Sequence, residues 1–144
     1  MNKYSNLLFS IAFCLLLLTS ACSNPFKSET KKEAIKVLVN EYFDDEELGK
    51  WIFYWDGKNS KGKYITPGKY IFAMEARNFQ DQDFVTAEEG GIDGENNKAD
   101  FEPGFWLDFE LGQAFPNPFP IKSGVNIPVL ISEPGKVKIS IFKD

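Results

Sequence analysis

The chain has 144 residues and a net charge of −5, with 16 Lys+Arg against 21 Asp+Glu, no histidine and two cysteines. That length holds one domain with a real core, and 15 % aromatic residues set it apart from a disordered polymer. The acidic balance, without any basic face interleaved with aromatics, excludes nucleic acid as a partner, while the lack of histidine and a single arginine, Arg77, removes the commonest general base and the bidentate anion clamp.

Residues 1–21 carry one lysine, an uncharged apolar run from Leu7 to Leu18, and then small residues. This is the layout of a secretory signal, too short to span a bilayer comfortably. It ends in Leu18-Thr19-Ser20-Ala21-Cys22, which resembles a bacterial lipobox, with Thr19 where leucine is commoner. The resemblance implies removal of residues 1–21, Cys14 among them, and a lipid on Cys22. Cleavage takes one lysine and no acid, so the net charge goes from −5 to −6. Residues 22–33 are polar, carry Pro25 and read as a flexible tether. Ser23 after the cysteine, in place of aspartate, implies the outer membrane.

From residue 34 the chain alternates with period two, the mark of half-buried strands. Ile35–Val39 is a short strand, Asp44–Glu47 an acidic solvated loop, and Lys50–Trp55 an aromatic strand ended by Asp56-Gly57. Thr66-Pro67-Gly68 suits a type II turn. Beyond it Tyr70, Phe72, Met74 and Ala76 share one face. Residues 78–104 are acidic, glycine-bearing and weakly periodic, and read as an acidic loop ahead of the alternating run Phe105–Leu111. Gln113–Pro120, "QAFPNPFP", is extended or turning and cannot be helical. Ile127, Val129 and Ile131 alternate next, then Glu133-Pro134-Gly135 turns, and Val137, Ile139 and Ile141 point inward from a last strand. The expected fold is an all-β, antiparallel sandwich over residues 34–144.

"WDGKNSKGKYITPGKYIFAMEA" (Trp55–Ala76) resembles the second half of the immunoglobulin-like domain of the flagellar hook-capping family, and of the similar secretion-sorting domains that end many Bacteroidetes surface proteins. The first half of those domains opens with a Tyr/Phe-Pro-Asn-Pro-Phe motif and ends in something like "VKISIF". That half is similar to Phe115–Phe142 here, and comes second. The resemblance implies an immunoglobulin-like β-sandwich in circularly permuted order. In such a body the last strand, Lys136–Phe142, pairs antiparallel with Ala34–Val39.

Asp93, Glu95 and Asn97 put oxygen ligands at alternate positions, with Asp100 and Glu102 beyond, as a calcium loop does. Gly94 in second position and the missing twelfth acid depart from an EF-hand. A solvated acidic loop is the preferred reading, and no cofactor is expected. Asp108 and Glu110 lie too close along one strand to serve as a paired acid and base, so no catalytic residue is assigned. Trp51, Phe53, Trp55 and Trp106 offer either core or a stacking platform for a glycan or peptide. The sequence therefore points to a membrane-anchored, non-enzymatic binding or assembly accessory of the bacterial envelope, its partner an envelope protein or glycan. The alternatives are a subunit assembling by strand exchange between half-domains and a secretion-related accessory protein.

Overall fold

The computed structural model describes residues 32–97 and 108–144. The residues expected to be a signal segment, Cys22 and most of the expected tether lie outside the described residues, as do Asp100, Glu102 and Trp106. Among the described residues there are eight strands and no helix: β1 (Lys36–Phe43), β2 (Gly49–Trp55), β3 (Gly68–Ala76), β4 (Phe79–Glu88), β5 (Glu110–Leu111), β6 (Phe119–Pro120), β7 (Val125–Ile131) and β8 (Gly135–Lys143). They form two sheets, one in the order β1-β8-β3-β4-β6 and the other β2-β7-β5. Every pairing is antiparallel except β4 with β6, where Ala87 faces Phe119 and Glu88 faces Pro120 in parallel.

The inward residues of both sheets make one core. Val137, Ile139 and Ile141 of β8 are fully buried, as are Phe72 and Met74 of β3 and Ile127 and Ile131 of β7. Trp55 closes the gap between the sheets. From the end of β2 its ring meets Tyr70 and Phe72 of β3 edge-on, each at 5.7 Å, and tilts against Phe119 of β6 at the same distance. Aromatic pairs in such geometries add to the burial of their own large area.

β8 is bonded along both edges. On one side it pairs with β3, Ile141 opposite Phe72 and Val137 opposite Ala76. On the other it pairs antiparallel with β1, Lys36 opposite Ile141 and Tyr42 opposite Lys136. The Ile35 N–H also donates to the Ile141 carbonyl at 2.8 Å, so the first and last strands of the body lie side by side. A bulge between Val37 and Val39 shifts the register of β1. It turns Val37 outward while Val39 points into the core, although simple alternation puts both on one face. A bulge inserts one extra residue and so reverses the face of the residues beyond it.

The segment expected to be an acidic loop from residue 78 begins instead with a ten-residue strand. β4 pairs with β3 over its whole length, from Phe79 opposite Ala76 to Ala87 opposite Gly68. Its inward positions near the hairpin are Asp81 and Asp83, opposite Met74 and Phe72. On this face Phe79 is partly buried and Val85 and Ala87 are buried, so the two aspartates interrupt an otherwise apolar row. The first half of β4 thus lacks the apolar period that would mark it as a strand. The Asp83 carboxylate accepts from the Ala114 N–H at 3.2 Å.

Candidate interaction surface

Trp55-Asp56-Gly57 forms a corner at the end of β2. The indole N–H of Trp55 donates to the Lys58 carbonyl at 2.8 Å, and the Asp56 carboxylate accepts from the Lys58 N–H at 3.1 Å. Gly57 has φ +69, and a side chain there would collide with the carbonyl of Ile121. The corner carries charges on its outside: Lys36 Nζ lies 3.2 Å from Asp56, and Lys58 Nζ sits 3.9 Å from both Asp56 and Asp93. Lys58 also lies over the Tyr64 ring, 4.8 Å from its centroid, and the Tyr64 hydroxyl donates to Asp93 at 3.0 Å. Close by, burial pushes the Tyr54 hydroxyl above its ordinary value of 10.0, with the Asp56 and Asp93 carboxylates adding to the rise. That hydroxyl donates to the Ser123 carbonyl at 2.9 Å.

The three residues spaced as calcium ligands do not converge. Asp93 turns to Tyr64 and Lys58, whereas Glu95 accepts from the hydroxyl of buried Ser123 at 2.9 Å. Asn97 contributes its backbone N–H to the Gly94 carbonyl. Among the described residues no three acidic, histidine or cysteine side chains are grouped to hold a metal. The described part of this loop is docked on the β6–β7 turn and is not a free solvated loop. Ile92 N–H donates to Ser123 Oγ, the Asn96 side chain donates to the Gly124 carbonyl, and the buried Asn126 side chain donates to the Asn96 carbonyl at 2.8 Å. Sequence reasoning missed this dock; its only signal was a polar run, Ser123 and Asn126, at the start of an apolar strand.

The aromatic residues of β2 separate by depth. Trp55 is core, while Trp51 is 36 % exposed and stacks on Phe53 with centroids 6.0 Å apart and planes 6° from parallel. Phe43 meets both rings edge-on. The Trp51 indole N–H is taken by the Glu47 carbonyl at 2.8 Å, and the acidic run Asp44–Glu47 lies alongside. Among the described residues, β1 and β2 are each paired along one edge only. β1 carries two of the most exposed large apolar side chains, Tyr42 at 68 % and Val37 at 46 %. Tyr42 and Val37, opposite Lys136 and Ser140, lie on the outer face of the five-stranded sheet, whereas Trp51 faces Phe43 at the open side of the sandwich beside the acidic run. A separate open groove of about 350 Å³ crosses the outer face of the five-stranded sheet, lined by Asn40, Glu75, Arg77, Phe79, Lys136 and Lys138 among others.

In comparisons with known proteins, the chain matches no family model, no curated protein and no solved structure.

Proposed function

We propose that this chain is a membrane-anchored, non-enzymatic lipoprotein. Its body is a circularly permuted immunoglobulin-like sandwich, and it serves as a binding or assembly accessory in the bacterial envelope, at the outer membrane. The anchor is the lipid on Cys22. The binding surface is the flank of β1 and β2, with Tyr42 and Trp51 as its apolar contacts.

The strand order supports the permuted fold. An immunoglobulin-like sandwich sets strands A, B and E in one sheet and C, F and G in the other, with C′ beside C in the longer variants. Counting from β5 as strand A gives β7 as B, β8 as C, β1 as C′, β2 as E, β3 as F and β4 as G. The two sheets then read A-B-E and C′-C-F-G, with the two-residue β6, between A and B in the chain, added in parallel beside G. A second feature agrees with it. Tyr70, near the start of β3, donates its hydroxyl to the Thr66 carbonyl four residues upstream at 2.6 Å. This bond is similar to the tyrosine corner that immunoglobulin-like folds build at the entrance to strand F.

The observation that carries the binding role is the exposure of Tyr42, Val37 and Trp51 on two flank strands with open edges. The alternative, assembly by strand exchange, would make the same β8 pairings with β1 and β3 of a second copy, and sizing the protein across a concentration series separates the two. Cys22→Ser tests the anchor: the variant should leave the membrane fraction and lose the mass of the lipid. Unchanged detergent partitioning and mass would contradict it. A photo-crosslinking residue at 42 tests the flank. It should capture an envelope component in living cells, and Trp51→Ala should weaken that capture; equal capture from position 82, on the opposite side of the sheet, would contradict a dedicated surface.

A further inference from the structure

The body's first described residues lie against a basic loop. The connection Gly57–Pro67 between β2 and β3 holds Lys58, Lys61 and Lys63 and no acid. Its Ser60 N–H donates to the Ile35 carbonyl at 2.9 Å, so this loop touches the chain where it comes in from Cys22. The loop has a fixed form. Asn59 Oδ1 accepts from the N–H groups of Lys61 and Lys63 at 2.9 and 3.1 Å, Asn59 N–H donates to the Lys63 carbonyl, and Gly62 takes φ +73 at the tip. The nearest carboxylates, Asp56 and Asp93, are held by Lys36, Lys58 and Tyr64. Lys61 and Lys63 are exposed, and their ammonium groups have no partner among the described residues. Tyr64, partly exposed, stands beside them. The acidic run Asp44–Glu47 and the carboxylates of Glu75 and Asp81 lie at the other end of the strands, while Glu88, Glu89 and Asp144 lie at the loop's own end, beside the start of β3.

We infer that the Gly57–Pro67 loop is the membrane-facing surface of the anchored protein, where Lys61 and Lys63 bind the headgroups of anionic phospholipids beside Tyr64. This rests on the anchor reading. A lipid on Cys22 fixes position and leaves orientation free, because about ten tether residues reach up to 35 Å when extended. Lysines near an anionic leaflet each contribute attraction that decays within about 10 Å at moderate salt. A tyrosine's amphipathic ring suits the headgroup level, and Tyr64 is fixed in place by its hydrogen bond to Asp93 and by Lys58 over its ring. A basic patch with one lipid-bearing residue gives the two contacts that set a body upright. The result holds the acidic end and the β1–β2 flank away from the leaflet, where a partner can reach them.

The experiment uses the lipidated full-length chain floated with preformed vesicles of neutral phosphatidylcholine, or of the same lipid with about 30 % phosphatidylglycerol. A brief pulse of a membrane-impermeant amine reagent is followed by peptide mass spectrometry. Lys61 and Lys63 should react about fivefold more slowly on the anionic vesicles, and this protection should vanish in about 0.5 M salt. Lys136 and Lys138, at the far end, should react equally on both. Equal rates for Lys61 and Lys63 on the two vesicle types overturn the inference while leaving the anchor intact. A chain that does not float with either vesicle overturns the anchor, and the inference with it.

Discussion

Asn117 explains why an asparagine stands between two prolines. Its side-chain Oδ1 accepts from the Thr86 N–H at 3.0 Å, and its Nδ2 donates to the Phe84 carbonyl at 3.2 Å. The side-chain amide thus pairs with β4 as a peptide group would, where the flanking prolines have no N–H to offer. Asn117→Ala should cost about 1 kcal/mol in urea unfolding, by a lower midpoint at unchanged slope. Gly57→Ala should cost more, about 2 kcal/mol or above, since it adds left-handed strain to the clash with Ile121. Tyr54 governs an alkaline limit. Because its folded value lies above 10.0, the stability it contributes is present below that pH and is lost as pH rises through the raised folded value. The wild type should therefore lose stability in that window more steeply than Tyr54→Phe, as read from urea midpoints between neutral pH and the tyrosine range. The Asp-Gly signal was legible in the sequence, because turn chemistry is local. The partners of the Asn117, Ser123 and Tyr70 side chains were not, since hydrogen bonds spanning 4 to 33 residues leave no mark on composition.

At the scale of elements, strands with an apolar inner face were legible: β2, β3, β7 and β8 all fall where alternation predicts them. β1 runs past Val39 to Phe43, and its bulge breaks the period that would have announced it. β4 escaped because Asp81 and Asp83 hold inward positions. Its backbone ladder is nonetheless complete, and a ladder depends on partners and not on side-chain polarity. Ile139→Ala on β8 should cost about 2–5 kcal/mol, since the side chain is fully buried on a strand bonded along both edges. The docked loop of residues 90–97 belongs to the folded body as well. Ser123→Ala leaves the Ile92 N–H and the Glu95 carboxylate without their shared partner and should cost about 1–3 kcal/mol. Hydrogen exchange at Ile92 and Asn96 should quicken in that variant before exchange in β3 or β8 changes. Simultaneous quickening everywhere would mean that the loop opens only with the whole fold.

At the scale of the molecule, the proposed permutation accounts for three observations at once. A motif that opens a domain elsewhere stands near residue 117, the first and last strands of the body are neighbours, and relabelling from β5 yields sheets A-B-E and C′-C-F-G, the latter extended by β6. Termini of compact domains lie at the surface, and reopening a chain at an exposed connection is tolerated. The most direct test is to restore the proposed unpermuted order. Asp144 is joined to Ala34 through a short glycine-containing turn, residues 98–107 are removed, and the chain begins at Asp108 and ends at Asn97. Every described strand is kept, and only the connections change. Thermal unfolding of this rearranged body should be a single cooperative transition of a monomer, its midpoint within about 10 °C of the parent's, a shift that corresponds to about 2 kcal/mol in a domain of this size. A chain that stays soluble only as a molten or aggregated species, with no cooperative transition, would contradict the permutation.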